Sequence, residues 1–115
     1  MATMVFVLPI LPGKEDVDRE MLAGLGSPGP MRDAYLEARR AQGITRETVW
    51  HQKTPMGTLA IIQLEGDDVQ GALGVSATSD DPFHQQFRAF VKDVHGVDLA
   101  NDPPPEISLI ADTQF

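Results

Sequence analysis

Thr45-Arg46-Glu47-Thr48-Val49-Trp50-His51-Gln52-Lys53 and Thr58-Leu59-Ala60-Ile61-Ile62-Gln63-Leu64-Glu65 are joined by Thr54-Pro55-Met56-Gly57, and this stretch sets the architecture of the 115-residue chain. The flanking runs carry the β-branched, aromatic and apolar residues of strands. Proline at the second turn position and glycine at the fourth give type I turn chemistry, with the glycine free to take a left-handed bulge position. The stretch reads as an antiparallel hairpin.

Upstream of it, Met31 to Ala41 has helical periodicity, with Met31, Ala34, Tyr35 and Ala38 as the expected buried stripe and Gly43 as the left-handed stop. Arg39 and Arg40 fall in the last turn, where the helix dipole favours cations. Three glycines and two prolines between Gly24 and Pro30 separate this helix from an earlier one, in which Val17, Met21, Leu22 and Leu25 share a face. The acids at the start of that first helix suit the positive end of its dipole. Met4 to Ile10 is short, β-branched and apolar, and reads as a strand covered on both sides.

Downstream, Asp67 or Asp68 caps a short helix carrying Val69, Ala72 and Leu73 on one face. Asp81-Pro82 opens a longer helix whose Phe83, Phe87, Phe90, Val91 and Val94 form an apolar stripe, closed by Gly96. After the stiff connector Asn101 to Pro105, Glu106 to Thr113 has the pattern of a last strand. The order is β–α–β–β–α–β with each helical segment broken once. It predicts an α+β, ferredoxin-like βαββαβ domain spanning residues 1–115, a four-stranded antiparallel sheet with helices on one face.

Such a sheet has a second face, and the strands do not leave it polar. Met4, Phe6 and Leu8 alternate with Val5 and Val7, and Ala60, Ile62 and Leu64 alternate with Leu59 and Ile61. An exposed apolar face exceeds what a monomer ordinarily tolerates. A second subunit, a ligand or both must cover it, and a two-fold copy is the commonest solution. Two such sheets face to face enclose a barrel-like core with small cavities.

The net charge of −8 argues against nucleic acid or an anionic membrane surface as a partner. With no cysteine there is no disulfide framework, thiol nucleophile or thiolate metal site, which suits a reducing cytoplasm. The longest apolar run, Met4 to Leu11, is far short of the roughly 18–20 residues of a membrane span and lacks a basic leader before it.

The runs Gly43-Ile44-Thr45-Arg46-Glu47, Val49-Trp50, Thr54-Pro55-Met56-Gly57, Asp80-Asp81-Pro82-Phe83 and His95-Gly96-Val97-Asp98-Leu99 resemble an uncharacterised bacterial family of the dimeric α/β barrel superfamily. That superfamily also includes antibiotic-biosynthesis monooxygenase-like, EthD-like and muconolactone isomerase-like proteins. The resemblance covers about Arg19 to Leu99 and implies a fold and a homodimer through the open sheet face. It supplies no catalytic residues, and fold alone does not select an activity.

Few side chains offer chemistry. His51 follows Trp50 in a strand, so one of the two faces the helices and the other faces away. His51 in an apolar cavity is the candidate general base, with Trp50 and Tyr35 as candidate ligand contacts. The plainer alternatives are a half-exposed edge histidine and a core tyrosine whose hydroxyl reaches water or backbone. His84 and His95 fall on the side of Arg88 and Lys92, opposite the phenylalanine stripe, and are expected in solvent. No spacing suggests a metal site, and no cofactor is expected. Gly24 to Gly29 lacks the ending of a phosphate loop, and Gly24 to Pro30 is expected either as a mobile lip on the cavity or as a plain helix corner. Two functions remain. One is a dimer that binds a small apolar or aromatic compound; the other is a cofactor-independent monooxygenase, isomerase or lyase using His51.

Overall fold

The computed structural model describes residues 1–115. Its elements are β1 (Ala2–Pro9), α1 (Glu15–Leu25), α2 (Pro30–Ala41), β2 (Ile44–Thr54), β3 (Gly57–Gly66), α3 (Val69–Thr78) and α4 (Pro82–His95). The three strands form one antiparallel sheet in the order β1-β3-β2.

The hairpin forms where the turn chemistry places it. Thr54 pairs with Gly57, and the Thr54 hydroxyl closes the turn by donating to the Gly57 carbonyl at 2.7 Å. The helix punctuation follows the sequence as well. Asp68 accepts from the Gly71 amide to cap α3, Asp81 accepts from the Phe83 amide to cap α4, and Gly96 ends α4 in the left-handed region at φ 70°. At the start of β2 a bulge between Ile44 and Arg46 brings Gly43 against Gly66, so closely that a Cβ on Gly66 would meet the Gly43 carbonyl oxygen at 2.5 Å.

Strand alternation gives the sheet its two faces. Met4, Phe6 and Leu8 of β1, Ala60, Ile62 and Leu64 of β3, and Glu47, Val49 and His51 of β2 share the inner face. Val69 and Ala72 of α3 and Val94 of α4 join Ile62 and Leu64 in the core. The opposite face carries the row Val7, Ile61 and Trp50, with Val5 beside it, and no helix covers it.

The sheet has three strands, and this corrects the expectation of four. Residues 103–115 belong to no strand and make no backbone hydrogen bond. A strand exists through ladder bonds to a neighbouring edge, and three successive prolines bring no N–H to begin one. The turn before them is tied by Asp98, whose carboxylate accepts from the Ala100 amide and the Asn101 side chain. These bonds, that from Asn101 first, hold the Asp98 carboxyl below its usual range. The chain then runs on without a ladder to β1, and Leu109 and Ile110 are 83% and 94% exposed.

No helix is long and apolar enough to cross a membrane.

Candidate functional site

A chamber of about 1100 Å³ lies between the inner face of the sheet and the helices. Phe6, Leu8, Ile62 and Leu64 form its floor, Leu73, Phe87, Phe90 and Val91 its helical wall, and Pro103 to Ser108 one side. It is slightly larger than the usual range of small-molecule sites, about 300–1000 Å³, and is mainly apolar, as such sites are. Residues 24–30 do not line it; the C-terminal segment takes the place expected for that loop.

Two polar clusters interrupt the apolar wall. The first is built on Asp18, a carboxylate only 2% exposed. The His51 ring donates from Nε2 to Asp18 Oδ2 at 2.6 Å. On the other side of the carboxylate, His95 Nε2 stands 3.9 Å from Asp18 Oδ1, while His95 Nδ1 lies 2.8 Å from the Pro9 carbonyl oxygen. That carbonyl can only accept, so His95 Nδ1 carries a proton. Asp18 and His95 line the chamber, and His51 touches it only through Asp18.

The second cluster is built on Arg39, also buried. Its Nε donates to Glu47 Oε1 at 2.9 Å and one terminal nitrogen donates to Gln42 Oε1 at 2.8 Å. The guanidinium lies 5.5 Å from the centre of the Tyr35 ring and 4.9 Å from that of Phe87, within cation–π range. Tyr35 completes the network by donating from its hydroxyl to Glu47 Oε1 at 2.6 Å. Burial, then the Glu47 charge, hold this phenol well above the ordinary tyrosine range, so it stays a neutral donor. Gln42 donates onward to the Ala72 carbonyl and the Ser76 hydroxyl, tying α2 to α3.

The candidate residues are thus dispersed. His51 is on the inner face and paired with Asp18; Tyr35 is half-buried beside Arg39 and Glu47 and does not line the chamber. Trp50 points the other way and stands 48% exposed on the open face. His84 and His95 are buried, which corrects their expected solvent exposure. At about 100° per residue they project only roughly 20° and 40° beyond Val91, and α4 is covered over that wider arc. Arg88 reaches across it to the Ser76 carbonyl, and the Leu11 amide bonds to Val94. His84 is held below the ordinary histidine range by burial first and then by Arg39, and its Nδ1 has no partner.

Asp18 and Arg39 went unread as site residues, although the stripes held a signal. Asp18 precedes Met21, Leu22 and Leu25 by three, four and seven residues, the spacing of one helix face, while Val17 is exposed. Arg39 follows Tyr35 by four, and Met31, assigned to the same buried face, is exposed. A charge in register with an apolar stripe is the mark both share. No three histidine or acidic side chains are grouped to hold a metal ion.

Comparison with known proteins returns no matching family model, no matching curated protein and no matching solved structure.

Proposed function

We propose that this chain binds a small apolar or aromatic compound and does so as a homodimer of ferredoxin-like domains, each a half of a dimeric α/β barrel. The chamber carries the binding reading: a large, mainly apolar space with two polar clusters on its wall has the make-up of a ligand site. The strand order β1-β3-β2 is that of a ferredoxin-like sheet without its outer strand, which supports the fold assignment. Val5, Val7 and Trp50, all exposed on the uncovered face, favour a second copy packed there. The lack of cysteine fits a reducing compartment such as the cytoplasm.

A neutral solvatochromic dye, Nile red, tests the binding reading. It should brighten and shift to the blue with the native protein. Leu73→Trp, which fills the chamber from its helical wall, should abolish that signal while far-ultraviolet circular dichroism stays unchanged. Equal dye binding by the filled variant would refute the chamber as the site. Light scattering should give twice the 12.5 kDa chain mass, and Val5→Lys on the open face, away from the chamber lining, should halve it without loss of dye binding. A wild-type monomer at micromolar concentration would refute the dimer.

The short Asp18–His51 contact favours a second reading, a cofactor-independent enzyme; because His51 reaches the chamber only through Asp18, its part there is to hold that carboxylate as the base. Turnover lost in His51→Ala with dye binding intact would support it.

A further inference from the structure

His95 and Asp18 bound a polar subsite of the chamber, and we infer that it takes a protonated amine carrying at least two N–H bonds on an apolar or aromatic body. This inference rests on the chamber being the ligand site and adds the head group that the ligand carries.

The hydrogen bonds leave two acceptors open. His95 Nδ1 donates to the Pro9 carbonyl, so in the neutral ring Nε2 bears a lone pair. Asp18 Oδ2 is taken by the His51 ring, and Oδ1 has no donor. Nε2 and Oδ1 are 3.9 Å apart, beyond hydrogen-bond reach, and neither has a proton for the other. Asp18 is 2% and His95 6% exposed, and both line the chamber. A buried acceptor left open is costly, so the group that fits this gap brings two protons on one atom. A nitrogen about 2.9 Å from both acceptors sees them at roughly 85°. The H–N–H angle of an ammonium is about 109°, so each hydrogen bond bends by under about 20° and stays within the preferred range.

Charge selects an ammonium among such groups. Water and a primary amide also bring two protons, but they bring no charge to an acidic wall. Asp18, Glu47, Asp102 and Glu106 line the chamber, against Arg39, which is already paired with Glu47. A cation beside Asp18 offsets that imbalance where water screens it least. The net charge of −8 on the whole chain adds to the pull on a cation. The rest of the wall, Phe6, Leu73 and Phe90 among it, suits a hydrocarbon or aromatic body attached to that nitrogen. A secondary ammonium uses both of its N–H bonds here, and a primary one keeps a third for water. His51 never touches the ligand; it is a positioning residue that holds Asp18 Oδ2 so that Oδ1 faces the gap.

The test holds charge constant and varies the number of N–H bonds. Protonated N-methyl-1-naphthalenemethylamine brings two, its N,N-dimethyl counterpart one, and the N,N,N-trimethyl ammonium none. Buffer at about pH 8 lies above the ordinary histidine range and below that of alkylammonium ions. By naphthalene fluorescence, the wild-type protein should bind the first at least about tenfold more tightly than the second, and the second at least about tenfold more tightly than the third. Asp18→Asn places an amide at the gap and should bring all three to one weak level. His95→Phe should erase the step between the first two. Equal binding of all three by the wild type would overturn the subsite. So would a ranking that survives Asp18→Asn, since it would then come from the bulk of the methyl groups. Nitrogen NMR of the free protein in that buffer should find His95 Nε2 without a proton; a proton there would also overturn the subsite. The wild-type series and the NMR decide even where a variant fails to fold. Nile red separates the two readings: with the dye bound, these failures strike the subsite alone, and with no dye bound the chamber reading falls with it.

Discussion

Arg39 and Glu47 offer the most exacting test of how the wall of the chamber is held. Their side chains are 10% and 13% exposed, so the pair sits where charges are poorly hydrated. Arg39→Met leaves the Glu47 carboxylate with the Tyr35 hydroxyl as its remaining donor and removes two cation–π contacts. Breaking a buried pair from one side costs about 3–5 kcal/mol. Glu47→Gln keeps an acceptor for both Tyr35 and Arg39 but leaves a buried cation without its counter-charge, and should cost about 2–3 kcal/mol. The double variant buries neither charge. It should lose little beyond the stacking of Arg39 on its two rings, about 1–2 kcal/mol. The singles therefore sum to about 5–8 kcal/mol against about 1–2 for the double, a coupling of about 3–7 kcal/mol. Urea denaturation of the four proteins, followed by circular dichroism, measures each value. A coupling below about 0.5 kcal/mol would match a solvent-screened surface pair and refute the buried network.

Four further outcomes are expected. Tyr35 is the one tyrosine in the chain, so alkaline ultraviolet titration reads it alone. Its raised pKa means that its share of stability is intact below about pH 10 and is lost as pH climbs past the unfolded value toward the folded one. Phenolate absorbance rising with an ordinary midpoint in the folded protein would contradict the Glu47 contact. For His84 the shift is downward, so the unfolded chain takes up a proton before the folded one as pH falls below about 6.5. The melting temperature should fall over that range, and His84→Leu should flatten the fall; equal slopes would place His84 in solvent. Gly66→Ala should destabilise by about 2 kcal/mol or more because its Cβ meets backbone across the bulge. Gly24→Ala, with open space around it in α1, should instead gain up to about 1 kcal/mol, both read as thermal midpoints.

What the sequence determined by itself is local. The hairpin turn depends on Thr54, Pro55 and Gly57, and the caps of α3 and α4 depend on Asp68 and Asp81 bonding to amides two or three residues on. Each is closed within four residues, so neighbouring side chains suffice to specify it. The two sheet faces follow in the same way, because a period of two follows from strand geometry alone. Tertiary structure decided which charges are buried. Asp18 meets His51 from 33 residues away, and His95 finds the Pro9 carbonyl from 86 away. A stripe in the sequence marks a helix face but not the arc that other elements will cover, and so His84 and His95 entered the interior unannounced, while Asp18 and Arg39 were marked only by a charge in register with a stripe. The last strand failed for a related reason. Glu106 to Thr113 has strand composition, but a strand also needs ladder bonds to an edge, and after the turn at Asp98 and three prolines the chain borders the chamber without making any.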